Sequence, residues 1–87
     1  MPIRYYPYTF YRQDLEMKED ILLRFGSQVK KQRLKQHLSQ EELAERAGVH
    51  RTYVGMIERA EKNITLLTIQ KLAKALDVSV ARFFKGL

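Results

Sequence analysis

The chain has 87 residues, a formal net charge of +6, a pI of about 9.8 and a mean hydropathy of -0.42, with hydrophobic residues at 45%. This composition suits one soluble domain with a single modest core; no apolar run approaches the roughly 18 residues of a membrane span, and the N-terminus lacks a signal-peptide pattern. The absence of cysteine excludes disulfides, thiolate chemistry and Cys-based zinc sites and fits a cytoplasmic protein, while the basic balance favours an anionic partner, nucleic acid ahead of a membrane surface.

Residues 1–17 read as an N-terminal aromatic arm, with Pro2, Pro7, Tyr5, Tyr6, Tyr8 and Tyr11 unlike anything later in the chain. Proline lacks a donor and biases its predecessor away from helix, so the arm is extended-prone. Its rings have three uses open to them: covering the core, extending a dimer interface, or lying on DNA beside Arg4 and Arg12. Packing or dimer contact is favoured. Met17 is an alternative translation start, where the rest of the pattern begins.

Residues 18–87 form the folded domain. Asp14, Glu16, Glu19 and Asp20 precede a run of Arg24, Lys30, Lys31, Arg33 and Lys35, a charge order that suits the two ends of a helix. Ile21, Phe25, Val29 and Leu34 at near-helical spacing predict helix 1 over about 18–36. Ser39 and Glu42 are spaced as a capping box for helix 2, which buries Leu43, Ala44 and Ala47 and stops at Gly48. Helix 3 spans about 50–59. Thr65 caps helix 4, about 66–76, whose inward stripe is Leu67, Ile69, Leu72, Ala73 and Leu76. Ser79 caps a last helix, about 80–86, with Val80, Phe83, Phe84 and then Leu87. The prediction is all-α, five helices and no strand.

Helices 2 and 3, joined by "AGV", make a helix-turn-helix pattern. Ala44 lets the second helix approach, Gly48 accepts positive φ, and Val49 fills the space between. Val54 and Ile57 face the core, which leaves His50, Arg51, Thr52, Gly55, Met56 and Arg59 projecting. A recognition helix enters the major groove with such a face. Arginine offers a fork suited to guanine O6 and N7, and a threonine or methionine carbon packs on a thymine methyl. Gly55 would let backbone approach a duplex closely. Lys30, Lys31, Lys62 and Arg59 would add sequence-independent attraction.

Residues 25–78, with "FGSQVKKQRLKQHLSQEELAERAGVHRTYVGMIE" and "NITLLTIQKLAKALDV", resemble the phage repressor/Cro-type (XRE) helix-turn-helix family. "HRTYVGMIERAEKNITL" is similar to the controller proteins of restriction–modification systems, which carry "DRTYISGIER…RN(L/I)T". The resemblance implies a five-helix, lambda-repressor-like DNA-binding domain acting as a homodimer on a palindromic operator in double-stranded DNA. It implies that Gln40 bonds a phosphate, that Arg51 and Thr52 reach base edges with His50 and Met56 beside them, and that Asn63 touches phosphate. Arg33 and Glu58 match an ion pair tying helix 1 to helix 3. Related activators use acids at the positions of Glu41, Glu42 and Glu45 to touch RNA polymerase. Three positions depart from the family: His50 stands where a Ser, Thr, Asp or Asn cap is expected, His37 where glycine follows helix 1, and Ala60 where Gly or Asn follows helix 3.

Blander readings stand beside these. Arg51, Lys30, Lys31 and Lys35 suit a solvated face, Met56 a peripheral core position, and Glu41, Glu42 and Glu45 a solvated face with one cap. Val80, Phe83, Phe84 and Leu87 are favoured as a homodimer seam, because adjacent phenylalanines point in different directions. His37 and His50 have no cysteine or spaced carboxylate partner for a metal or catalytic set, so an enzyme is not expected and no cofactor is assigned. The reading is a sequence-specific transcriptional regulator of the controller type. The alternatives are a generic phage-type repressor, an antitoxin, or a protein-interaction module.

Overall fold

A computed structural model describes the backbone of residues 8–86 and the side chains of residues 20–86. Four α-helices follow one another: α1 (Tyr8–Lys35), α2 (Gln40–Ala47), α3 (Arg51–Glu58) and α4 (Leu66–Leu76). A 3-10 turn, Val80–Phe84, closes the chain. There is no strand among the described residues.

Helix α1 begins ten residues before the expected boundary, so residues 8–17 of the expected arm belong to it and residues 1–7 lie outside the described residues. Pro7 is the last proline of the chain and no glycine occurs before Gly26, so nothing between them breaks a helix. The expected fifth helix is also corrected. Ser79 makes no side-chain cap bond, the Arg82 amide bonds back only three residues to the Ser79 carbonyl at 3.0 Å, and Gly86 at φ 89° follows. So short a run settles for i→i+3 bonding.

The caps of α2 and α4 follow the sequence pattern. The Ser39 hydroxyl accepts from the Glu42 amide at 3.0 Å, and the Glu42 carboxylate accepts from the Ser39 amide at 2.8 Å. Gly48 sits at φ 71°, where a left-handed cap closes α2. The Thr65 hydroxyl caps α4 through the Thr68 amide at 3.1 Å. His37 and Ala60 do adopt the left-handed region, at φ 57° and 61°, and Asp77 joins them at φ 56°. The Gln36 side-chain amide, just past α1, donates to the Leu76 carbonyl at 2.7 Å and satisfies the end of α4.

Phe25, Val29, Leu38, Leu43, Ala44, Val54, Ile57, Ile69, Leu72, Leu76 and Phe83 make the core. Each large side chain among them contributes about 1.5–3 kcal/mol by leaving water. Ile21, Leu34 and Leu67, expected on inward stripes, are exposed instead. In α1 the row through Phe25 and Val29 continues to Gln32 and Arg33, which are buried. In α4 the row through Leu72 and Leu76 runs back to Thr68, which leaves Leu67 on the other side. Arg33 meets Glu58 and the Leu38 carbonyl at its inward site, and Thr68 bonds Thr65 at its own.

Candidate nucleic-acid interface

Helices α2 and α3 are each eight residues long and pack on one another, with Ala44, Ala47 and Val54 buried in the shared core. Val49, half-buried, sends its amide to the Ala44 carbonyl at 3.0 Å and locks the turn. Helix α3 starts with an unusual cap. His50 Nδ1 accepts from the Thr52 amide at 3.1 Å, in the part a Ser or Asp oxygen would play. With Nδ1 used by the cap, Nε2 is the ring nitrogen that takes no part in it.

The far end of α3 is held from behind. Arg33 Nε donates to Glu58 Oε2 at 2.7 Å and Nη2 to Oε1 at 2.9 Å, while Nη1 donates to the Leu38 carbonyl at 2.8 Å. Only 9% of the Arg33 side chain and 3% of the Glu58 side chain are exposed. The hydrogen bond to Glu58 raises the Arg33 pKa further, against the opposing effect of burial. Glu58 Oε1 also accepts from the Gln40 side-chain amide at 3.0 Å. One carboxylate thus joins the ends of α1, α2 and α3.

Gly26 makes that junction sterically feasible. A Cβ there would overlap the Ile57 carbonyl oxygen and come within 3.1 Å of the Glu58 carbonyl oxygen. A lone glycine inside a helical pattern was the available sequence signal for this close approach.

Of the residues expected to meet DNA, Gln40, Arg51, Thr52 and Arg59 line one open groove together with Glu41 and Gly55. Gln40 is half-buried; its amide nitrogen serves Glu58, while its backbone N–H opens α2 at the positive end of the helix. Arg51 and Thr52 are exposed on the first turn of α3. Arg51 Nη1 lies 3.4 Å from Glu41 Oε2, a contact the sequence did not suggest. Arg59 is exposed and pairs with Glu61 at 3.0 Å. Gly55 does not present bare backbone: a Cβ there would meet Arg59 Nη1 at 3.1 Å and Gln40 Oε1 at 3.3 Å, so those side chains occupy the space it leaves. Met56 is half-buried beside the groove residues in sequence but does not line the groove. His50, Lys30 and Asn63 are exposed and also lie outside it, Lys30 on α1 and Asn63 in the loop before α4. The Lys62 ammonium sits 5.8 Å from the Tyr53 ring centroid.

The expected dimer residues divide. Phe83 is 1% exposed and belongs to the chain's own core, edge-on to Phe25 with ring centroids 5.1 Å apart. Phe84 is half-buried and stacks on the same ring at 5.5 Å. Val80 is 40% exposed, and Leu87 lies outside the described residues. Among the described residues no cluster of His, Asp or Glu could hold a metal ion, and no helix is long and apolar enough to cross a membrane.

The sequence profile of the helix-turn-helix family HTH_3 matches residues 29–83. The chain belongs to this XRE-type helix-turn-helix family. It is 59% identical over 46 residues to control protein C.SmaI of Serratia marcescens, covering 53% of this chain and 55% of that protein. It is 46% identical over 63 residues to control protein C.BamHI of Bacillus amyloliquefaciens, covering 71% of this chain and 78% of that one. The chain thus spans about half the length of C.SmaI and most of C.BamHI. The crystal structure of the restriction–modification controller protein C.AhdI from Aeromonas hydrophila superposes with a TM-score of 0.71 at 43% identity, covering 72% of this chain and 96% of that one. The domain this chain shares with them is that of helix-turn-helix transcriptional regulators, which are not enzymes.

Proposed function

We propose that the protein is the controller of a restriction–modification system: a homodimer that binds a palindromic operator in its own promoter, first activating and then repressing it. The observation that carries this reading is the groove in which Arg51, Thr52, Arg59 and the start of α2 converge. Similarity to the controllers of three restriction–modification systems supports the biological role.

In this reading α3 enters the major groove by its N-terminal turn. Arg51 donates two hydrogen bonds to a guanine edge and the Thr52 methyl packs on a thymine. His50 Nε2 and Met56 contact neighbouring bases. The amide of Gln40 meets a phosphate at the start of α2, and Arg59, Asn63 and Lys30 contact the backbone on either side. Two copies joined through Val80 and Phe84 place their α3 helices about 34 Å apart, one turn of DNA.

Selection from random duplexes at two salt concentrations tests the reading. An enriched palindrome with two half-sites is expected, and Arg51→Ala weakens its binding by about 1–3 kcal/mol while relaxing preference at one position per half-site. No enriched sequence, or equal binding by wild type and Arg51→Ala, would overturn it.

A further inference from the structure

Glu41 is the single acid lining a groove otherwise formed by Gln40, Arg51, Thr52, Gly55 and Arg59. A carboxylate facing approaching phosphates opposes binding, so its place there calls for a reason. It is the second residue of α2, and it reaches across to Arg51, the first residue of α3, at 3.4 Å. Glu41 lies in the first turn of α2, where the helix dipole favours negative charge, and the first turn of α3 has no acid of its own to engage Arg51. The other groove arginine differs: its partner, Glu61, lies outside the groove lining.

We propose that Glu41 is a specificity-determining residue that holds the Arg51 guanidinium within the groove and so suppresses its use on DNA of the wrong sequence. The proposal rests on the reading of Arg51 as a base contact. Both side chains are largely exposed, 73% for Glu41 and 67% for Arg51, so the pair is weak and opens readily. It tilts the competition without blocking it.

The physical basis is the difference between the two acceptors. A guanine edge presents O6 and N7 in one fixed geometry inside the groove. A phosphate accepts from arginine in many orientations, most of which require the side chain to swing outward. Arginine carries five N–H donors in a rigid plane. With Nη1 kept on Glu41, the rest of the fork still faces a guanine, but the outward swing breaks the contact. The carboxylate also repels every phosphate that approaches the groove mouth, on any sequence. Glu41 therefore lowers nonspecific affinity more than specific affinity.

The test compares dissociation constants for the selected operator and a scrambled duplex of equal length, at two salt concentrations. It uses wild type, Glu41→Gln, Arg51→Ala and the double variant, with thermal melts to show that all four are folded. Glu41→Gln is expected to tighten scrambled-duplex binding about threefold, from the usual strength of an exposed pair, and to tighten operator binding distinctly less. The salt dependence on scrambled DNA steepens by up to about one contact's worth. In the Arg51→Ala background, Glu41→Gln shifts both duplexes equally, because the residue it acts through is gone. If Glu41→Gln shifts both duplexes equally with Arg51 present, the carboxylate is a solvated charge or serves another partner, and the proposal fails. Arg51→Ala losing discrimination while Glu41→Gln keeps it removes only the role of Glu41. A wild type that does not discriminate removes the base-reading assignment as well.

Discussion

Arg33 and Glu58 stand 25 positions apart in the chain and meet in a two-pronged ion pair, at 2.7 and 2.9 Å, behind the end of α3. The same carboxylate takes the side-chain amide of Gln40. Helix α3 is therefore set against α1 and α2 by one buried anion and three donors.

Removing one partner strands the other in a site with almost no water. Glu58→Gln or Arg33→Ala should cost about 3–5 kcal/mol of folding free energy, measured by urea unfolding. Arg33→Met combined with Glu58→Leu should recover much of that loss, because neither buried charge remains. The double variant should still bind DNA less well, since Gln40 loses its acceptor. Full DNA affinity in the double variant would show that Gln40 does not depend on Glu58.

Gly26→Ala separates helix propensity from tertiary fit. In an open helix interior this change stabilises by about 0.5–1 kcal/mol. At Gly26 the new methyl meets the backbone carbonyls of Ile57 and Glu58, and backbone cannot rotate away as a side chain does. The sign should therefore invert, to a loss of about 1–3 kcal/mol. A raised melting temperature would mean that α1 and α3 are less closely apposed.

Glu42 gives the fold an acid-sensitive element. The hydrogen bond from the Ser39 backbone amide, followed by that from the Ser39 hydroxyl, holds the Glu42 pKa below its ordinary value of 4.5. A carboxyl with a depressed pKa in the folded state stabilises fully above its unfolded pKa and loses that contribution as pH falls through the folded one. Wild type should thus lose more stability between pH 6 and pH 3, as about one protonation step, than Glu42→Gln, which has no carboxyl to titrate. Parallel urea midpoints for the two proteins across that range would remove the capping box as the cause.

Val80→Glu addresses the proposed dimer without touching the core. Val80 is 40% exposed, so the substitution should leave the monomer folded while lowering the sedimenting mass to that of one chain. Phe84→Glu is the less clean variant, because Phe84 also stacks on Phe25; it should both split the dimer and lower the melting temperature. An unchanged mass for Val80→Glu would move the seam elsewhere.

Much of the fold was legible in the sequence because its signals are local. A capping box needs only Ser39 and Glu42 three residues apart, and a left-handed cap needs only Gly48 in the right place. The order of α2, turn, α3 and α4 follows from such short-range chemistry, as do the buried Leu43, Val54, Ile57 and Leu72. The family resemblance rested on the same residues, and Arg33 and Glu58 came with it.

Most of what the sequence missed depends on contacts between residues apart in the chain. A glycine inside α1 signals a close approach but not that the end of α3 makes it, and nothing near Glu41 announces that Arg51 will lie 3.4 Å away. His50 looked like a poor cap because caps are scored by residue type, while the geometry needed only an acceptor within reach of the Thr52 amide. Phe83 and Phe84 looked equivalent until one was seen to fill the core and the other to cover Phe25. By itself the sequence determined which segments are helical at the turn-helix centre and which residue types face outward, since hydrogen bonding and helical periodicity are settled within a few residues. Tertiary structure decided which apolar residues reach the core and which outward groups share one groove, because those depend on how whole helices meet.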